Sequence, residues 1–135
     1  MVSFVGILKI VMKYHPQKTP APDRWLALEE DARISLIQNY HRRAGVKNPN
    51  PRIHAVIHLI VENQIAEGLE VVQETLDRLM AEGLDRHEAI HAIGWVLIDH
   101  LSNLMQATEP ATHDQAKYFQ ALQNLTTSNW KKGAS

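Results

Sequence analysis

From Pro22 onward, apolar residues recur three and four positions apart, and nowhere do apolar and polar residues alternate for long enough to build a sheet. The pattern predicts an all-α chain, a single-domain antiparallel helical bundle of about five helices with short connections. The first helix is expected over Pro22 to Ala44, kinked near Leu28, with Ile34, Ile37 and His41 on one face and Gly45 as its stop. The second starts where Asn50 supplies an N-cap and Pro51 fits the first helical position, and it runs to Ala66 before Gly68. A third, amphipathic helix over Glu70 to Glu82 places Leu69, Val72, Leu76, Leu79 and Met80 on one face and ends at Gly83. Asp85, with Glu88 three residues on, forms a capping box for a fourth helix reaching about Gln106. Glu109 and Pro110 break the chain, and Thr112 with Gln115 repeats the capping signal. A last helix is then expected to carry Tyr118, Phe119, Leu122 and Leu125 towards Trp130.

Ahead of the helices, Lys13 to Pro22 is rich in Pro, Thr, Lys and Gln, which places the division at residues 1–21, an extended or flexible N-terminal arm, and 22–135, the helical domain. Met1 to Met12 is apolar but too short to span a bilayer, and it lacks a basic leader and a small-residue cleavage site. Met12 itself is a second candidate start. These features point to the cytoplasm, without a membrane partner.

Charge and composition narrow the chemistry. Fourteen basic against 15 acidic residues leave a formal net charge of −1, too little field to hold a nucleic-acid backbone. There is no cysteine, so disulfides, thiol nucleophiles and thiolate metal ligands are excluded, and any metal must be held by nitrogen and oxygen.

The second predicted helix is apolar nearly all round, interrupted by His54, His58 and Glu62 at successive steps of four. On the fourth, His87 and His91 repeat the spacing, which sets two imidazoles one turn apart on one face, where they can chelate one ion. If the intervening helix is antiparallel to both, the two run in the same direction and their histidine-bearing first turns share one level of the bundle. His41, near the end of the first helix, comes to that level too. Helix N-termini also disfavour protonation of the pairs, and neutral imidazole is what a metal takes. The candidate ligands are therefore His54, His58, His87 and His91, with Glu62 and His41 as further ligands or supports, for a divalent transition metal such as zinc, iron, nickel or manganese. No organic cofactor is expected.

Several other readings compete. The stripes can be the solvated faces of buried helices, since Trp95, Asp99 and Asn103 continue the fourth helix's stripe. His87 to His91 spells H-E-A-I-H, the zincin pattern, in which Glu88 would activate a metal-bound water for hydrolysis; the metzincin continuation needs histidine where Leu97 stands, and no sheet edge is available for a peptide. Glu88 with His91 also has the E-x-x-H spacing of di-iron bundles, but only once. Arg52 and Arg86 beside the pairs allow a non-catalytic anion or phosphate site instead. Trp25, Trp95 and Trp130 allow a protein-interaction module or homo-oligomer.

Asn50 to Leu104, with NPRIHAVIHLIVENQIAEG followed by LDRHEAIHAIGWVL, resembles a family of small uncharacterised bacterial proteins known only as a domain of unknown function, marked by an H-x3-H-x3-E-N-Q helix and an R-H-E-A-I-H helix. The likeness extends to the Trp25 region, to Tyr40-His41-Arg42 and to Tyr118 through Trp130. It implies a compact intracellular bacterial protein and brings no established reaction, substrate or partner.

Overall fold

A computed structural model describes residues 12–106 and 114–134. Among them the only regular elements are seven helices: α1 (Pro22–Ala27), α2 (Glu30–Arg43), α3 (Pro51–Ala66), α4 (Glu70–Ala81), α5 (Arg86–Gln106), α6 (Asp114–Asn124) and α7 (Thr127–Ala134). The all-α expectation holds at that level, and the count of five is corrected to seven. The break at Glu109-Pro110 and the cap at Thr112 lie outside the described residues.

Both extra helices arise from breaks inside spans expected to be continuous. At Leu28 the backbone turns extended, with ψ 149°, and Arg33 closes the gap by donating from Nη2 to the Leu28 carbonyl at 2.8 Å. At the other end, Leu125 and Thr126 separate α6 from α7. Arg78 of α4 donates to the carbonyls of Leu122 and Leu125, which the helix end leaves without intrahelical partners. Glu82 accepts from the Thr127 amide at 2.8 Å and Thr126 Oγ1 from the Asn129 amide at 3.0 Å, so a new helix is capped there.

The α3 start follows the sequence signal, with Asn50 Oδ1 accepting from the Ile53 amide at 3.2 Å behind Pro51 at the first position. The Asp85–Glu88 capping box also forms: the Asp85 amide donates to Glu88 Oε1 at 3.1 Å and the Glu88 amide to Asp85 Oδ1 at 2.8 Å. Gly45 stops α2 with φ 72°, which lets the Val46 amide turn back onto the His41 carbonyl at 2.9 Å and fixes His41 in the last turn.

Helix α3 is the shared wall between two apolar clusters. On one side Val61 and Ile65 pack with Leu76, Leu79, Ile90, Ile93, Leu122 and their neighbours from α4, α5 and α6. On the other, Ala55 and Leu59 pack with Trp25, Leu28, Ile34, Ile37 and Tyr14. The E-N-Q step ties these sides together through three consecutive polar residues. Glu62 pairs with Arg86 of α5, Asn63 Oδ1 accepts from Trp25 Nε1 at 2.9 Å and Arg33 Nη1 at 2.8 Å, and Gln64 Oε1 accepts from the Tyr118 hydroxyl at 2.8 Å. Gly94 permits the close approach of α5 to α3, since a Cβ there would lie 2.6 Å from Ile57 Cγ2.

The segment 12–21 carries no helix, and its Tyr14 is 2% exposed and lies in the core. Among the described residues no helix is long and apolar enough to cross a membrane.

Candidate metal centre

Three helices deliver five histidines to one point. His41 comes from the last turn of α2, His54 and His58 from the first two turns of α3, and His87 and His91 from the first two turns of α5. One ring nitrogen from each lies within 4.8 Å of all the others. The i, i+4 spacing supplies the pairs, and the common direction of α3 and α5 brings them to one end of the bundle.

Four of the rings meet through Nε2: His54 and His41 at 3.1 Å, His58 and His91 at 3.0 Å. The fifth, His87, buries its Nε2 without any hydrogen-bond partner. A buried orphan of this kind calls for an explanation, because leaving a polar atom desolvated costs about 1–3 kcal/mol. With metal–nitrogen bonds of about 2.1 Å, ligands at right angles lie about 3.0 Å apart and tetrahedral ones about 3.4 Å. The two observed separations suit right-angled neighbours around one ion.

Outer hydrogen bonds set the tautomers. His41 Nδ1 donates to the Ile37 carbonyl at 2.9 Å, which leaves Nε2 as a bare acceptor. Tyr14 gives its hydroxyl proton to Glu62 Oε2 at 2.6 Å, so its oxygen accepts from His58 Nδ1 at 3.1 Å, and His58 Nε2 is likewise bare. The two Nε2–Nε2 contacts therefore take their protons from His54 and His91. Asn48 agrees with this, since its amide nitrogen faces His54 Nδ1 at 3.1 Å while its Oδ1 accepts from the Asn50 amide at 2.9 Å.

Burial, and then the crowd of neighbouring imidazoles, disfavours the charged form of His54, His58, His87 and His91. His54 is pushed down to about 4 by desolvation and then by His91 and His41, and His91 to about 4 by desolvation and then by His87 and His41, against an opposing pull from Asp85. His87 falls to about 4 by burial and then by His41, against an opposing pull from Asp85. His58, with 0% exposure, is driven furthest down, first by burial and then by the other four histidines.

Behind His58 stands a buried ion pair. Arg86 Nη2 lies 2.7 Å from Glu62 Oε1 and its Nη1 2.8 Å from Oε2, with a further bond from Nη1 to the Pro16 carbonyl at 2.9 Å. Burial works against the Arg86 charge, but the bonds to Glu62 and its negative charge outweigh it and raise the guanidinium above its usual value. Burial and Glu62 push the Tyr14 phenol well above its usual value, so it remains a donor.

The residues expected at the site thus fall into different places. His41, His54, His58, His87 and His91 come together; Glu62 turns both oxygens onto Arg86 and Tyr14 and supports His58 instead of joining the ring-nitrogen group. Glu88 holds its capping box, and no hydrogen bond joins it to the five histidines. Arg86 is spent on Glu62 and Arg52 is exposed, so the two do not form an anion clamp. Trp25 fills the core, whereas Trp95 and Trp130 border a cleft beside the histidines.

Tyr14 and Gln17 were not anticipated. Gln17 Oε1 accepts from the Arg86 amide at 3.1 Å and caps the start of α5 from a distance of 69 residues along the chain. The one local hint is an aromatic residue in a Pro- and Lys-rich stretch that offers no helical period.

Comparison with family models, curated proteins and solved structures gave no match.

Proposed function

We propose that this chain is a metal-binding helical domain whose centre is the cluster of His41, His54, His58, His87 and His91. The observation that carries the reading is the convergence of five ring nitrogens within 4.8 Å, one of them a buried His87 Nε2 with no other partner. Two hydrogen bonds pair four of the rings, but they leave His87 Nε2 buried without a partner and place no counter-charge among the imidazoles. A divalent ion would give His87 Nε2 a partner and the other four rings a common acceptor for their lone pairs.

The donor set is nitrogen alone, which suits nickel, iron or zinc better than calcium or magnesium. Separations near 3.0 Å favour an ion with right-angled ligands, and five such ligands leave an octahedral ion one open position. His41 and His58 stand with bare Nε2 atoms, whereas His54 and His91 take part only after their Nε2 protons move or leave. For His54 this also requires the Asn48 amide to turn away.

Metal-dependent hydrolysis is one chemistry an open position allows, with Glu88 as the base suggested by the H-E-A-I-H spacing. The capping contacts of Glu88 favour a structural duty for it, so the reading rests on metal binding and not on that residue. An anion site has less support, since Arg86 already has its carboxylate.

The test is elemental mass spectrometry on the untagged chain, beside a variant carrying His58→Ala and His91→Ala. Near-stoichiometric metal that disappears in the variant is the expected result. No metal after supplementation with zinc, iron, nickel and manganese would sink the reading.

A further inference from the structure

Beside the histidines a cleft of about 380 Å³ runs along the groove between α3 and α5, a volume within the range of small-molecule sites. His54, His58 and His91 form one end of it, and Ile53, Ile57, Ile90, Trp95, Ile98 and Trp130 form its walls. Apart from the histidines, its polar lining is Asn48 and Asn50, and no Asp, Glu, Lys or Arg is among the lining residues. Gly94 lies on the floor of the cleft, where the lack of a side chain lets Ile57 pack directly against α5.

The charge of the centre decides the rest. Five neutral imidazoles leave a divalent ion with its full double charge, and the nearest buried carboxylate, Glu62, is already neutralised by Arg86. Such a centre favours an anionic sixth ligand over a neutral one, and the only wall that ligand meets on this side is apolar.

Resting on the metal reading above, we infer that the cleft takes an apolar monocarboxylate, its carboxylate on the histidine-held ion and its hydrocarbon body along Ile53, Ile57, Trp95 and Ile98. Sugar phosphates and nucleotides are disfavoured, because the cleft has no cationic side chain to meet their additional charges. The apolar walls also explain three side chains that would otherwise sit in water without purpose: Ile53 at 57% exposure, Ile98 at 50% and Trp95 at 36%.

The experiment uses the full chain loaded with nickel. Acetate, butyrate, hexanoate and octanoate are titrated by calorimetry and by the fluorescence of Trp95 and Trp130. Affinity is expected to rise about fourfold per added methylene until the cleft is filled. Chelator-stripped protein is expected to bind none of them. Ile98→Asp, at an exposed wall position, is expected to keep nickel and acetate while weakening octanoate at least tenfold. Stoichiometric nickel with acetate and octanoate bound equally, or not at all, overturns this inference and leaves the metal centre standing. Octanoate binding to stripped protein also overturns it, because the charge then does not come from the ion. A chain that takes up no metal overturns the metal reading and this inference together.

Discussion

The histidine pairs of α3 and α5 share one spacing and are held in opposite ways. On α3 each outer nitrogen has a partner: His58 Nδ1 meets Tyr14, backed by Glu62 and Arg86, and His54 Nδ1 meets Asn48. On α5 neither His87 nor His91 has a hydrogen bond at Nδ1 among the described residues, and His87 Nε2 has none either. The α3 pair is thus held from its outer side by other residues, while the α5 pair has only the His58 contact at His91 Nε2 besides the helix that carries it. Identical i, i+4 motifs can therefore differ in preorganisation, and the difference lies in residues far away along the chain.

The largest effect should come from removing the support on the α3 side. Arg86→Met leaves Glu62 charged and unpaired at 1% exposure, and should cost about 3–5 kcal/mol in denaturant unfolding, with much of the loss recovered when Glu62→Leu is added. If the single variant unfolds at the wild-type midpoint, the ion pair does not anchor α3.

Tyr14→Phe removes the acceptor for His58 while keeping the ring in the core. Metal affinity should fall about 10–100-fold, measured by competition with a chelator, against a loss of only about 1–3 kcal/mol in stability. No residue on the α5 side offers an equivalent loss, and unchanged affinity would erase the contrast.

Asn48→Asp sharpens the comparison in the opposite direction. A carboxylate can accept from His54 Nδ1 where the amide nitrogen now donates, can still take the Asn50 amide, and adds negative charge near the ion. Affinity should improve about tenfold. A weaker centre would mean that His54 is not a ligand.

Acid should act on both pairs. Folded values near 4 for His54, His87 and His91 lie below the ordinary 6.5, so between those limits the unfolded chain binds protons that the folded chain refuses. Chelator-stripped protein should hold full stability above pH 6.5 and lose it progressively as pH falls towards 4, in thermal melts at half-unit steps. Melts that do not change across this window would show the rings to be better solvated than their burial implies.

The smallest effect belongs to Glu88→Ala, which should cost about 1 kcal/mol through the lost capping box and leave the metal content as it was. Loss of metal without loss of stability would return Glu88 to the centre.

Much of this was legible along the chain. Asn50-Pro51, Asp85 with Glu88, and the stops at Gly45, Gly68 and Gly83 gave the bounds of the middle helices within a residue or two, because caps and left-handed glycines are decided by groups three or four residues apart. The same short range put His54 with His58 and His87 with His91. Their meeting with His41 was legible one step further, from helix direction alone. The break after Leu125 was harder to see: Thr126 and Asn129 are a local signal, but Arg78 and Glu82, which take up the broken ends, come from α4.

What the sequence determined by itself, then, was the helical class and the middle helices, their polar stripes, the absence of thiolate and a net charge of only −1. Which nitrogen His41, His54 and His58 present was decided only by the tertiary structure, through Ile37, Asn48 and Tyr14. So was the fate of Glu62 and Arg86, which read from the sequence as a ligand and an anion clamp and fold into each other. Helix formation and capping depend on neighbours within a turn, whereas a buried charge or imidazole takes its role from whatever donor or acceptor the packing brings within about 3 Å, however distant in the chain.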